Sequence, residues 1–139
     1  PEEALVEGTT RSMNAQERAH IRARVCALAK QLAAAYGAAV ETEWYEGPPA
    51  TVNDGFWASF AEETAKGCAL HVVPAPKSLT GEDFAFYQER VPGVFVLVGT
   101  GLAPALHNPG FRVDPRALAP TVDYLAQLVC TALSKVKGR

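Results

Sequence analysis

Residues 78–111, SLTGEDFAFYQERVPGVFVLVGTGLAPALHNPGF, decide how this chain is read. Thr80 is a suitable helix cap, and Glu82 and Asp83 then fall in the first turn, where the positive end of a helix dipole favours carboxylates. Val94, Phe95, Val96, Leu97 and Val98 form an apolar run between Pro92-Gly93 and Gly99-Thr100-Gly101. A run that short, bounded by breakers, predicts a strand buried on both faces. The glycine-rich exit of such a strand is where α/β proteins tend to build sites. A few residues beyond that exit stands His107, between Leu106 and Asn108-Pro109.

Upstream of this stretch the pattern is strand, helix, strand. Residues 4–11 alternate loosely and end in Gly8-Thr9-Thr10-Arg11. Asn14, with Glu17 three residues on, predicts a helix start. The helix is expected from Ala15 to Tyr36, with Ile21, Val25, Leu28, Leu32 and Tyr36 on one face and Arg18, Arg22, Arg24 and Lys30 on the other, and Gly37 ends it. Residues 39–46 alternate as a half-exposed strand, broken by Gly47-Pro48-Pro49. Asn53 or Asp54 caps a second helix over Gly55 to Lys66, closed by Gly67. A short strand is expected at 70–73. Asp114 and Pro115 open a last helix whose buried stripe would be Leu118, Val122, Leu125, Leu128 and Val129, with Pro120 as a possible kink.

Composition narrows the function classes. The chain has 139 residues, nearly half of them apolar (48%), enough for one compact domain or two small pieces of a larger protein. A net charge of −2, with no cluster of Lys and Arg, excludes a nucleic-acid footprint. No stretch reads as a signal peptide or a membrane span. Of the odd set Cys26, Cys68 and Cys130, two fall on apolar positions of expected helices, which predicts buried free thiols; no C-x-x-C is present, which argues against a thiolate zinc site, and a reducing, cytoplasmic setting fits. Pro1 opens directly into a strand-like segment, as it would after loss of an initiator methionine or within a longer chain.

Several side chains offer chemistry. A lone loop histidine is by default an exposed polar residue, but a neutral imidazole is also the commonest metal-binding side chain, and a proline-bounded loop limits its motion. Glu82 and Asp83 read equally as helix-start charges and as carboxylates that orient metal-bound groups, with Gly81 allowing close backbone approach. Arg11 is suited to a bidentate grip on a substrate carboxylate, or to a strand-end salt bridge, which is the plainer role. His20 on the polar side of a helix and His71 on a short strand read as solvated and structural. Cys68 and His71 form only half of a four-ligand zinc set.

Three motifs in order, GEDFAFY (81–87), VPGVFVLVGTG (91–101) and LHNPGF (106–111), resemble the C-terminal part of the aminoacylase and carboxypeptidase-like metallohydrolases. The branch they resemble includes hippurate hydrolase and the indole-acetyl-amino-acid hydrolases. Gly8-Thr9-Thr10-Arg11, the basic helix, and an acidic strand entering Pro48-Pro49-Ala50-Thr51-Val52-Asn53 resemble the latter part of that family's inserted lid. The resemblance implies an α/β fold: residues 1–47 as part of an α+β, ferredoxin-like lid and dimerisation domain, and residues 48–139 as the C-terminal part of a zinc-peptidase-like catalytic domain. It implies that His107 ligates one of two catalytic divalent metals (zinc, manganese or cobalt), and that Gly81, Glu82, Asp83 and Phe84 line the site. The substrate would be an N-acyl amino acid and the assembly a homodimer through the lid. No catalytic base is expected within the chain: the family takes it, and most ligands, from H-x-D and C-x-H segments and a glutamate pair in a more N-terminal part, and neither an H-x-D nor a C-x-H segment occurs here. The competing expectation is a non-catalytic binding or dimerisation module, or an inactive fragment.

Overall fold

The computed structural model describes residues 2–101 and 104–137, with side chains to 135. Four α-helices follow in chain order: α1 (Ala15–Ala35), α2 (Gly55–Gly67), α3 (Phe84–Gln88) and α4 (Leu118–Lys137), the last preceded by a 3-10 turn at Pro115–Ala117. The chain divides into two compact units, Pro1–Val52 with Lys77–Val91, and Asn53–Pro76 with Pro92–Arg139.

In the first unit α1 forms where capping and periodicity place it. The Asn14 side chain accepts from Glu17 N at 2.8 Å. Gly37, at φ +68°, closes the other end with a Schellman pair, Gly37 N to Ala34 O and Ala38 N to Ala33 O. The expected inward stripe does not pack. Ile21 is half-buried, whereas Val25, Leu28, Leu32 and Tyr36 are exposed, Tyr36 to 87%. The helix is tied down by its basic side instead. Arg18 donates to the carbonyls of Gly47 and Pro48 and pairs with Glu46. Arg22 pairs with Glu46 at 2.8 Å and lies over the Trp44 ring. Solvent-accessible pairs of this kind each contribute at most about 1 kcal/mol.

α3 is short, as expected, but starts later than its expected cap. Thr80 does not cap it; its hydroxyl meets that of Ser78, and the helix begins at Phe84, with Ala85 N and Phe86 N bonded to the carbonyls of Glu82 and Asp83. Gln88 on this helix accepts Val52 N.

In the second unit α2 packs on α4. Ala61 and Ala65 are buried, and Tyr124 lies against them at 3% exposure, its hydroxyl donating to Ala61 O. Asp54, rather than Asn53, caps α2, accepting Trp57 N at 3.0 Å. The helix runs one residue past its expected end, and Ala69, at φ +56°, takes the left-handed closing position. α4 presents Thr121, Tyr124, Leu128 and Thr131 inward, while Leu118, Val122, Leu125 and Val129 of the expected stripe are exposed. The two alanines of α2 leave room for a tyrosine ring, and that room selects the packed face. Pro120 falls in the first turn of α4, where its missing N–H costs no hydrogen bond. Cys26 and Cys68 are half-buried and Cys130 is exposed, all three as free thiols, so full burial holds for none of them.

Among the described residues no segment forms a strand ladder, so the strands expected at 4–11, 39–46, 70–73 and 94–98 are not paired. A strand exists only where a second extended segment answers its N–H and C=O groups. The 94–98 run is half-buried at Val94–Val96 and exposed at Leu97 and Val98, rather than covered on both faces.

Candidate functional site

His107 sits at the third position of a tight turn in the second unit, closed by Asn108 N to Ala105 O at 3.1 Å. Its φ of +68° is the left-handed value a type II turn demands there, a conformation that few residues other than glycine adopt. A second turn follows at once: Phe111 N bonds to Asn108 O, Pro109 holds its second position, and Asn108 Oδ1 accepts Gly110 N at 2.8 Å. Two successive turns thus fix the backbone on which the imidazole is mounted. The ring is exposed and has no hydrogen-bond partner among the described residues. Both its nitrogens are accessible, and in the neutral form one of them carries a lone pair for a ligand.

The loop bearing His107 is closed at its neck. Asp114 N bonds to Thr100 O at 2.9 Å. Gly101, at φ +93°, lies so close to Asp114 that a Cβ there would stand 2.9 Å from the aspartate Cβ. Asp114 also accepts Arg116 N and pairs with the Arg116 guanidinium at 2.6 Å, which holds its carboxyl below the usual aspartate value.

Gly81 is in the first unit. A Cβ on it would come within 3.3 Å of the Pro48 ring, a tight contact, and 3.8 Å of Arg11 Nε, an ordinary one, so the glycine eases the approach of Pro48 to the backbone. Arg11 bonds only to the Thr10 carbonyl and forms no ion pair among the described residues, so the salt bridge considered for it is not made here. Glu82 is half-buried and Asp83 exposed, and neither carboxylate is ion-paired among the described residues. Phe84 stacks obliquely on Tyr87 at 6.0 Å. His20 and His71 are both exposed. Among the described residues no group of three His, Cys, Asp or Glu side chains is gathered to hold a metal ion.

One residue that sequence reasoning undervalued is Asn53. Its amide donates to Phe95 O at 2.9 Å and accepts Phe95 N at 2.8 Å, while Asp54 N bonds to Gly93 O at 3.0 Å. The signal was the pair of adjacent capping residues, of which a helix needs only one.

The chain matches the model of peptidase family M20/M25/M40 over residues 3–131. It is 36% identical over 137 residues to N-acetylcysteine deacetylase of Bacillus subtilis, covering 99% of this chain and 36% of that protein. It is 32% identical to a second N-acetyl-L-cysteine deacetylase of the same organism, covering 90% of this chain and 30% of the relative. The crystal structure of the Bacillus subtilis YXEP protein, a dinuclear metal-binding peptidase of the M20 family, superposes with a TM-score of 0.81 at 35% identity, over 88% of this chain and 35% of that one. The chain therefore spans about a third of the length of these relatives. With three motifs in family order and a family match over nearly its whole length, the chain belongs to peptidase family M20/M25/M40.

Proposed function

We propose that the protein carrying this chain is a metal-dependent amidohydrolase that cleaves the amide bond of N-acyl amino acids, of the hippurate or N-acetylamino-acid kind. The similarity to two deacetylases of acetylated cysteine supports the substrate class, and the dinuclear relative supports a pair of divalent ions (zinc, manganese or cobalt). The single observation that carries the reading is His107: an exposed imidazole, without a hydrogen-bond partner among the described residues, on a doubly turned, proline-bounded loop. Such rigid mounting suits a metal ligand, which must be held in place before the ion arrives.

In this reading His107 supplies one ligand through a ring nitrogen. Divalent ions, when bound, would polarise the scissile carbonyl and acidify a water. Gly81, Glu82, Asp83 and Phe84 would line the wall of the substrate site. The Arg11 guanidinium, which makes no ion pair among the described residues, suits a bidentate bond to the substrate carboxylate. The other metal ligands and the general base would come from a more N-terminal part of the same protein. Residues 1–47 would belong to a lid that also forms a homodimer, 48–139 to the catalytic domain, and the enzyme would act in the cytoplasm. Among the described residues no helix is long and apolar enough to cross a membrane.

Exchanging His107 for alanine in the metal-loaded protein should lower bound metal and turnover of N-acetyl or N-benzoyl amino acids together. Normal metal content with full turnover would overturn the ligand role. The second reading, a binding or dimerisation module without chemistry, draws on the ungathered ligands and the exposed apolar faces of α1 and α4. Absence of bound divalent metal and of hydrolysis in the protein purified from its own gene would favour it.

A further inference from the structure

We infer that Asn53 is a positioning residue for the His107 loop: its side-chain amide takes the place of a neighbouring strand and sets the register of the apolar run that leads into that loop. The inference rests on the ligand role proposed for His107.

The geometry is that of a β-bridge made by one side chain. In an antiparallel ladder two residues exchange both N–H···O bonds. Here the primary amide of Asn53 performs both halves of the exchange with Phe95, at 2.8 and 2.9 Å. Asp54 N adds a third bond to Gly93 O two residues earlier. Because Asp54 also caps α2, the start of a regular helix and the start of the 94–98 run are locked together. At the far end of the run, Thr100 O and Gly101 are held by Asp114. The run is therefore pinned at both ends, at Phe95 by a side chain and at Thr100 by backbone, and the chain between Gly101 and Asp114 carries His107.

Side-chain chemistry makes this pin specific. Only a primary amide offers one donor and one acceptor at that reach. Aspartate keeps the acceptor for Phe95 N but sets a carboxylate oxygen against the Phe95 carbonyl. Leucine keeps the volume and removes both bonds. Slippage by one residue would take Phe95 off the amide and shift the loop neck with it. Asn53 is on the surface and reaches no ligand atom itself; it acts through the segment it holds.

The test uses the metal-loaded protein with four variants: Asn53→Asp, Asn53→Leu, Tyr124→Phe and His107→Ala. Tyr124→Phe removes a structural hydrogen bond of the same unit without touching the run. Metal dissociation constants, and the visible absorption of the cobalt-substituted form, are measured beside thermal midpoints. The expected result is an order of decreasing metal affinity from wild type through Asn53→Asp to Asn53→Leu. The Asp variant should lose about tenfold and show an altered cobalt spectrum, a scale similar to losing a group that orients a ligand. Tyr124→Phe should lower the thermal midpoint with affinity and spectrum unchanged. If His107→Ala weakens metal binding while both Asn53 variants bind as wild type, the positioning role is overturned and the ligand role stands. If His107→Ala leaves metal binding intact, the ligand role itself fails. Equal losses of affinity in the Asn53 variants and Tyr124→Phe, or failure of both Asn53 variants to fold, would assign Asn53 to general stability and overturn the inference.

Discussion

The buried hydroxyl of Tyr124 donates to the main-chain carbonyl of Ala61, 3.2 Å away, and so joins the two principal helices of the second unit by a polar bond inside an apolar contact. Burial, and secondarily the nearby Cys68, raises the phenol above its ordinary value, so the group stays neutral and the bond persists across the physiological range. Tyr124→Phe should cost about 1 kcal/mol, the typical net contribution of such a bond. Tyr124→Ala should cost about 3–5 kcal/mol because it also opens a cavity against Ala61 and Ala65. Denaturant unfolding of both variants checks the ratio; equal losses would mean that packing of the ring contributes nothing.

Ala69 closes α2 in the left-handed region at φ +56°, within a Schellman pair made by Ala69 N to Lys66 O and Leu70 N to Ala65 O. The same motif closes α1 with Gly37, at φ +68°. An L side chain in that region costs about 1–2 kcal/mol, offset in part by the extra freedom glycine has when unfolded. Ala69→Gly should therefore raise stability by up to about 1 kcal/mol, and Gly37→Ala should lower it by a similar amount. Opposite signs of the thermal shift are the result to look for.

Gly101 combines φ +93° with a would-be Cβ 2.9 Å from the Asp114 side chain. Gly101→Ala must move the neck of the His107 loop. A loss of about 2 kcal/mol or more is expected. Amide exchange should quicken first at Asp114, whose N–H bonds across the neck; unchanged protection there would contradict the role of the contact.

The carboxyl of Asp114 is held below the 3.8 of an ordinary aspartate, first by the Arg116 side chain and then by Arg116 N–H. A depressed folded-state value means that the stabilisation is complete above the unfolded value and disappears as pH falls through the folded one. Titration followed at the Asp114 carboxyl carbon should give a midpoint below 3.8. In Arg116→Ala it should move back towards that value. Because the pair is solvent-exposed, salt should reduce the difference.

Much of this protein is written locally. Asn14 with Glu17, the run of helix-forming residues after them, and Gly37 determine α1 at both ends, because capping and helix propensity act within a few residues. Pro115 after Asp114 likewise marks the turn into α4. The family motifs around GEDF and LHNP are legible in the chain itself, and so is the suspicion that falls on His107. Tertiary structure decided what periodicity could not. It chose Tyr124 rather than Leu125 as the buried side of α4, since small residues on α2 make room for one ring and not for a leucine stripe. It left the apolar face of α1 exposed while Arg18 and Arg22 took the contacts with Glu46. It set Asn53, a residue that reads as a spare cap, against both backbone groups of Phe95. An apolar spacing states only that a face can be buried; which face is buried depends on the shape and the unanswered hydrogen bonds of whatever lies opposite, and those come from residues far away in the chain.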